Sequence, residues 1–254
     1  MKKAITVFIV LLSTGIITAN WFYHTPLGLY EKAFAVGSSV CHQIPSHSFE
    51  VMGIQFPLCA RCSGLYLGSF IGLVYYFTQG RKKAFPKKGF SLLLLILFLV
   101  WAGDGVNSFI TNFLNKTFLY ETTNTTRLVT GFGMGLVMST ALMTLFNLTV
   151  WQDSKDQPLL HNLFQVTAYS AASLFIAWIL LSTNAISFQV IAYISIATVI
   201  MIISLLYMIF WIVLLKKENS FKKWSSLGLF IAAGFATSML QITLLNMLRQ
   251  WLTG

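Results

Sequence analysis

The stretch SFQVIAYISIATVIMIISLLYMIFWIVLL, residues 187–215, contains no Asp, Glu, Lys or Arg. An apolar segment of about 18 residues or more predicts a transmembrane helix, because ~20 helical residues cross the hydrocarbon core of a bilayer. The sequence therefore predicts an all-α polytopic membrane protein with seven transmembrane helices. Besides 187–215, the predicted spans are residues 4–22, 60–79, 90–112, 126–151, 163–183 and 225–248.

The overall composition agrees with this fold class. Of the 254 residues, 56% are hydrophobic and only 9% are charged, and the mean hydropathy is +0.74. A soluble domain carries roughly 25% charged residues, so this chain has too little charge to cover a surface that faces water. The composition also excludes intrinsic disorder and a basic nucleic-acid-binding surface.

The net charge of +10 is concentrated at the N-terminus (MKK) and in two loops, 81–88 (RKKAFPKK) and 216–223 (KKENSFKK). Cytoplasmic loops of membrane proteins collect Lys and Arg, so we expect these three segments to lie inside and the C-terminus outside. The basic excess is then an orientation signal for a multi-pass protein of the cell membrane. Its expected partners are the bilayer and anionic lipid headgroups, not nucleic acid.

The first apolar segment has a second interpretation. Lys2 and Lys3 followed by an apolar run also fit a signal peptide. Cleavage after Ala19 would place Ile17 where a small residue is preferred, so we favour a retained helix. Cleavage would leave six spans with the same sidedness.

The chain reads as a single membrane domain over residues 1–254, because most connections are short and no internal repeat is visible. The exception is an outer loop at 23–59. Within it, residues 29–40 predict a short helix and the alternating residues 48–56 predict a hairpin that turns around Met52-Gly53. A long ordered loop in a compact protein is usually functional.

Two stripes of glycine occur within the predicted spans. Gly64, Gly68 and Gly72 recur every four residues in the second span, and the fourth span contains Gly131, Gly133 and Gly135. Small residues let helix backbones approach closely. We expect these glycines to hold the outer ends of the two spans together.

All three cysteines of the chain fall between residues 41 and 62. Cys41 precedes His42, and Cys59 and Cys62 form a C-x-x-C pair. Zinc takes four ligands from Cys sulfur and His nitrogen, so these four residues predict a zinc site on the outer face. Cys41 and His42 can both bind one ion only if the chain bends between them. Otherwise His47 or His24 could provide the nitrogen.

Alternatives to zinc remain open at this point. Copper would gain a soft ligand from Met52. A disulfide or redox pair would suit the oxidising outer face of the membrane, although three cysteines leave one thiol over. Simple packing of small apolar side chains is the remaining interpretation. Covalent haem is disfavoured, because Ser63 stands where histidine should follow C-x-x-C.

Polar residues also gather toward the outer ends of the spans. Asp104 and Asn107 share one helix face, and an acid inside the membrane is a functional-site candidate by default. Arg127 opens the fourth span behind Asn124, and Arg61 lies between two of the cysteines. We predict catalytic roles for Asp104 and Arg127, and substrate binding by Arg61, Asn107 and Asn124. An Asp104–Arg127 ion pair of purely structural value is the alternative.

Four motifs resemble those of a prokaryotic integral-membrane family, the domain-of-unknown-function family 2085. They are CHQIPSHSF at 41–49, PLCARCSGLYLG at 57–68, DGVNS at 104–108 and TTNTTRLVTG at 122–131. The resemblance implies that Gln43 also belongs to the site, where we assign it to substrate binding. Two positions depart from the family pattern: His47 replaces an Arg and Asn107 replaces a Gln. The family name implies no activity. The resemblance marks these positions: Cys41, His42, Gln43, Pro45, Ser48, Phe49, Cys59, Arg61, Cys62, Gly64, Tyr66, Gly68, Asp104, Gly105, Asn124, Arg127, Thr130 and Gly131.

Four functions fit these residues. The first is a metal-dependent enzyme in which zinc activates water or polarises an oxygen, Asp104 acts as base or ligand, and Arg61 and Arg127 hold an anionic or lipid-linked substrate. The second is a transporter or permease. The third is a thiol–disulfide or metal-delivery protein. The fourth is a scaffold in which the cysteines only tie down the outer loop.

Overall fold

A computed structural model describes residues 2–114, 117–182 and 184–253, with side chains from residue 8 to residue 252. The side chains of Lys2 and Lys3, which were predicted to face the cytoplasm, lie outside this described part. The elements in chain order are α1 (Lys2–His24), α2 (Leu29–Ser38), a 3-10 turn (Pro45–His47), β1 (Ser48–Val51), β2 (Ile54–Cys59), α3 (Ala60–Thr78), β3 (Lys82–Ala84), α4 (Lys88–Leu114), α5 (Asn124–Val150), β4 (Lys155–Pro158), α6 (Leu163–Leu181), α7 (Ala185–Leu214), a 3-10 turn (Trp224–Leu227) and α8 (Gly228–Thr253).

The long helices run alternately between two ends of one bundle. One end contains the three cysteines and is called the cysteine end. The other contains the loops 81–88 and 216–223 and is called the basic end. α8 starts at the basic end and reaches the cysteine end, where Arg249 contacts the Cys41 backbone. α1 runs parallel to α8, since Thr14 contacts Ala232 while Trp21 and Thr243 line one cavity.

The chain folds mainly into long apolar helices, as predicted for an all-α membrane protein. In the described part of the chain, five helical segments are long and apolar enough to cross a membrane, and the predicted count of seven is not confirmed. α3 falls below the hydropathy of the other five, and α1 contributes a shorter apolar helix, Phe8–His24. The five segments are Lys88–Leu114, Asn124–Val150, Leu163–Leu181, Ala185–Leu214 and Trp224–Leu252.

α3 and α5 form the closest helix pair at the centre of the bundle. A Cβ atom added to Gly64 would lie 2.2 Å from the Leu128 carbonyl oxygen, and one added to Gly131 would lie 2.3 Å from the Arg61 carbonyl oxygen. Only residues without a side chain permit this approach. The two glycine stripes therefore pack as expected, and they bring Arg61 beside the start of α5.

The predicted outer loop folds as a small cap on the cysteine end. The predicted short helix is α2, and the predicted hairpin forms from β1 and β2, which pair in antiparallel fashion. Met52 and Gly53 occupy the turn with φ angles of 52° and 76°, as a two-residue hairpin loop requires. β2 leads directly into α3, so the hairpin fixes the start of that helix.

At the basic end, the loop after α3 is joined to the loop after α5 by contacts that the sequence did not predict. β3 pairs with β4 in parallel, and Arg81 binds Asp153 in an exposed ion pair with an Nη1–Oδ1 distance of 2.5 Å. The Arg81 guanidinium also lies 3.8 Å from the centre of the Trp151 ring. Loops that are distant in sequence thus lock the basic ends of α3 and α5 together.

Candidate functional site

The three cysteine sulfurs all lie within 4.8 Å of one another, close enough to share one metal ion. Cys41 follows α2, Cys59 ends β2 and caps α3, and Cys62 lies in the first turn of α3. Cys41 and Cys59 are buried, whereas Cys62 is partly exposed, and all three are free thiols. The expected juxtaposition of Cys41 with the C-x-x-C pair is therefore present.

Backbone amides support the Cys41 sulfur. It accepts hydrogen bonds from the Cys59 N–H at 3.1 Å and from the Gln43 N–H at 3.5 Å. Donors of this kind stabilise the negative charge of a thiolate and orient it toward a metal. The Cys41 sulfur therefore has the supporting hydrogen bonds that metal ligands usually have.

A sharp turn of the backbone lies at Gln43, directly after His42. Its φ angle is 54°, a left-handed conformation that is costly for a residue with a Cβ atom. The buried side chain compensates by donating to the carbonyl oxygens of Phe34 and Pro57, both at 2.8 Å. Gln43 thus ties the Cys41 loop to α2 and β2, and its amide nitrogen is already occupied by protein oxygens.

The hydrogen bonds among the three cysteines shift the pKa values of Cys41 and Cys59 in opposite directions. Hydrogen bonds from Cys41 and then Cys62 lower the pKa of Cys59, and a hydrogen bond from His42 adds to this effect. The same contact with Cys59 raises the pKa of Cys41 to about 11. A metal ion binds thiolates and displaces thiol protons, so it would replace these hydrogen bonds between the thiols.

The two histidines near the cluster lie at its exposed side. His42 is exposed, it contacts Cys59, and its Nδ1 atom accepts a hydrogen bond from the Ile44 N–H at 3.1 Å. It is not part of the group of mutually close ligand atoms. The His47 ring lies 5.6 Å from the His42 ring, and its pKa is lowered by burial and by the positive charge of Arg127.

Met52 does not approach the cysteines. It is 80% exposed at the tip of the hairpin, whereas Cys59 lies at the opposite end of β2. The idea that Met52 supplies a soft ligand for copper therefore gains no support from the geometry.

Asp104 forms an ion pair with Arg61 rather than with Arg127. The Arg61 Nε atom donates to Asp104 Oδ2 at 2.9 Å, and a second donation from Nη2 makes the contact forked. The other carboxylate oxygen accepts from the Tyr120 hydroxyl at 2.6 Å, and Thr130 donates to Oδ2 at 3.3 Å. Because both oxygens are occupied, Asp104 is placed to hold Arg61 in position beside the cysteines.

Asn107 anchors the connection between α4 and α5. Its Nδ2 atom donates to the Tyr120 carbonyl oxygen and its Oδ1 atom accepts from the Leu119 N–H, both at 2.9 Å. The side chain is 1% exposed. Asn107 therefore supports Tyr120, which in turn contacts Asp104.

Arg127 is buried at the start of α5 and has no acidic partner among the described residues. Its guanidinium donates to Asn124 Oδ1 at 2.9 Å, Thr122 Oγ1 at 3.0 Å and Ser108 Oγ at 3.2 Å. Asn124 also donates to the Ser48 carbonyl oxygen at 3.2 Å, which links α5 to the hairpin. The predicted site residues are thus brought to one end, and most of them bind each other.

Sequence reasoning missed two contributors, Tyr120 and Arg249. Arg249 donates to the carbonyl oxygens of Cys41 at 2.9 Å, and of Ser38 and His42 at 3.1 Å. Its signal was the i, i+3 spacing from Asn246, which places two polar groups on one face of α8. Tyr120 lies in a loop, where no helical or strand period marks it.

Comparison with known proteins places these residues in a segment that a family model matches. Residues 41–141 match the family model described as "Predicted membrane protein (DUF2085)". The match begins at the first cysteine and includes Cys59, Cys62, Asp104 and Arg127, whereas α6, α7 and α8 lie outside it.

Two archaeal proteins are similar to this chain. An uncharacterized protein of Methanocaldococcus jannaschii is 31% identical over 131 residues, which cover 51% of this chain and 75% of the relative. An uncharacterized protein of Methanothermobacter thermautotrophicus is 33% identical over 106 residues, which cover 41% of this chain and 86% of the relative. No solved structure matches the chain.

Proposed function

We propose that this chain, which belongs to the DUF2085 family of predicted membrane proteins, is a zinc-dependent enzyme of the cell membrane. Its metal ligands are Cys41, Cys59 and Cys62, and its substrate is an anionic or lipid-linked molecule at the outer surface. The observation that carries the proposal is the mutual approach of three thiols to within 4.8 Å.

The cysteine geometry fits zinc in two respects. A tetrahedral ion with Zn–S bonds of ~2.3 Å separates its sulfurs by roughly 3.8 Å, which is compatible with the 4.8 Å limit that the three sulfurs satisfy. The amide donors to Cys41 supply the supporting hydrogen bonds that metal ligands usually have.

Three protein ligands leave a fourth position, and this supports a catalytic rather than a structural ion. Catalytic zinc sites characteristically have three protein ligands and one exchangeable position. When bound, zinc supplies an activated water or polarises a substrate oxygen. His42 lies on the exposed side of the cluster beside Cys59.

Asp104 serves in this proposal as a positioning residue. The ion pair with Asp104 holds Arg61, which lies between two of the cysteines, while Tyr120 and Thr130 occupy the remaining acceptor capacity. The initial prediction of Asp104 as a catalytic base is therefore replaced by the proposal that it fixes the C-x-x-C turn through Arg61.

The orientation follows from the charge pattern. We assign the basic end to the cytoplasm, since Lys and Arg collect there, and the cysteine end to the outer face. The alternating directions of α1 and α3–α8 support seven crossings and a single membrane domain over residues 1–254. The segment 23–59 then forms an outer cap.

Metal analysis of the purified protein tests the proposal. We expect about one zinc ion per chain in the wild type and less than about a tenth of that in the Cys59→Ser variant, because a metal site of this kind depends on each ligand. His161→Ala is the matched control: it removes a histidine outside the cysteine end and should keep the zinc. Wild-type protein that contains no metal, even after reconstitution with zinc, would refute the site.

Thiol–disulfide exchange is the second candidate, and one observation favours it. Cys59 caps the N-terminus of α3 and its pKa is lowered, as for the reactive cysteine of C-x-x-C redox proteins. Burial of the Cys59 sulfur argues against ready attack on a partner. Thiol titration separates the two candidates: a redox protein isolated from cells shows one disulfide and no zinc, whereas the metal protein shows three thiols once zinc is chelated.

A further inference from the structure

Arg127 carries a charge that the described protein does not neutralise. The residue is 6% exposed, and in the described part of the chain no carboxylate oxygen lies within 4.0 Å of its guanidinium. Its three protein partners are the neutral oxygens of Asn124, Thr122 and Ser108. The Nε atom is buried and has no hydrogen-bond partner.

In the described part of the chain, the nearby acids form no ion pair with Arg127, although Asp104 and Cys59 lie close enough to interact with it electrostatically. Asp104 is already paired with Arg61. Glu50 and Glu121 are exposed and form no ion pair with Arg127. Burying a cation without a counter-charge is costly, and removal of one partner from a buried pair leaves a similarly unfavourable state. An anion from outside the protein would remove this cost.

We infer that Arg127 anchors a binding site for a phosphate-type oxyanion carried by the substrate. This inference rests on the proposed function and names the chemical class that its site recognises. A guanidinium is the preferred partner of such groups, because its planar donors match two oxygens at once. The oxyanion replaces one or more of the neutral oxygens that now contact Arg127.

The surroundings of Arg127 add further attraction for an anion. It lies in the first turn of α5, where the helix dipole is positive. Thr122 and Ser108 bring hydroxyl groups that can turn from accepting to donating. His47 lies close enough to Arg127 for that positive charge to lower the pKa of His47, so the anion is attracted by Arg127 and the helix dipole.

The oxyanion site adjoins the cysteine cluster. Cys59 interacts electrostatically with both Arg127 and His47, and Asn124 connects Arg127 to the hairpin that ends in Cys59. A substrate held by its anionic group at Arg127 therefore presents its neighbouring atoms to the metal site.

Binding measurements on the full, zinc-loaded chain test the inference in two arms. The first arm titrates inorganic phosphate, and the second titrates protein in nanodiscs that contain either phosphatidate or only phosphatidylcholine. We expect Arg127→Gln to weaken binding by at least about tenfold in one arm or both, and Arg127→Lys to weaken it less. Arg81→Gln is the matched control, because Arg81 lies at the basic end and is paired with Asp153.

The arm that responds identifies the source of the anion. Loss in the phosphate arm supports a soluble phosphate-bearing substrate, and loss in the phosphatidate arm alone supports a lipid headgroup. Equal binding by wild type and Arg127→Gln in both arms, or an equal loss with Arg81→Gln, overturns the inference. If Arg127→Gln fails to fold, Thr122→Val and Arg127→Lys provide the same comparison.

The metal content separates this inference from the proposed function. Arg127→Gln should keep its zinc, while Cys59→Ser should lose zinc and still bind phosphate through Arg127. A wild type without zinc but with Arg127-dependent phosphate binding would refute the metal proposal and leave the oxyanion site standing. Zinc without any Arg127-dependent binding would do the reverse.

Discussion

At the scale of single residues, Gln43 combines backbone strain with two hydrogen bonds that hold it in place. Its φ angle is 54°, and its side chain binds Phe34 and Pro57. Gln43→Ala removes the bonds and keeps the strain, whereas Gln43→Gly removes both. We therefore expect the glycine variant to have a free energy of unfolding about 1–2 kcal/mol higher than that of the alanine variant.

Denaturant titration of both variants measures this difference. An alanine variant as stable as the glycine variant would show that Gln43 is not strained. A glycine variant is normally less stable than the alanine variant at an ordered position. A more stable glycine variant at residue 43 would therefore point specifically to backbone strain.

The residue scale also shows what the sequence could predict about the site. The clustering of Cys41, Cys59 and Cys62 in one short segment was enough to predict that the thiols meet. The partner of Asp104 was not predictable, because Arg61 and Arg127 both lie at the same end of their helices. Helix rotation and the close approach of α3 to α5 decide between them, and neither can be read from spacing alone.

At the scale of elements, the α3–α5 pair depends on the absence of side chains at its contact. Gly64→Ala places a methyl group 2.2 Å from the Leu128 carbonyl oxygen, so the helices must separate. We expect the free energy of unfolding to fall by about 1–3 kcal/mol. Gly103→Ala in α4 is the control, since its added Cβ meets nothing within 4 Å. Equal effects of the two substitutions, measured by denaturant titration, would contradict the proposed packing.

The ion pair between α3 and α4 gives a second prediction at this scale. Asp104 is completely buried as a side chain and Arg61 is 15% exposed, so Asp104→Asn leaves a largely buried cation unpaired. We expect a loss of about 3 kcal/mol in the free energy of unfolding. The double variant Arg61→Gln/Asp104→Asn should lose less than the sum of the single variants.

A double-mutant cycle built on unfolding midpoints measures this coupling. Strictly additive losses would mean that the pair contributes no interaction of its own. The same set of variants also reports zinc content, which should fall when Arg61 no longer fixes the C-x-x-C turn.

The helices and the hairpin were predictable because each has a local signal. Apolar runs marked the spans, and the alternating segment 48–56 with Met52-Gly53 marked the hairpin. The parallel pairing of β3 with β4 had no such signal, since it joins short polar segments about 70 residues apart through backbone groups. The number of membrane crossings could not be read from local sequence either. The hydropathy of α3 is low, and this helix is held by its packing against α5.

At the scale of the whole molecule, the two ends of the bundle should lie on opposite sides of the membrane. Met52→Cys introduces a thiol at the exposed hairpin tip, and Ser220→Cys introduces one in an exposed basic loop. An impermeant maleimide added to intact cells should label only the first variant, and labelling of the second should need permeabilised cells. Wild-type protein provides the background from its native thiols, and the opposite labelling pattern would reverse the orientation.

The buried residues of α4 are all polar: Asp104, Asn107 and Ser108. Many of its leucine and phenylalanine side chains are exposed instead, and Leu93, Leu94 and Leu97 are only partly buried. A helix attached in this way is held most firmly where the surrounding medium offers no competing hydrogen bonds, as among lipid tails. Extraction into micelles that admit water would loosen α4 first and release Arg61 with it. The choice of solubilising agent therefore decides whether the purified protein still contains an intact site.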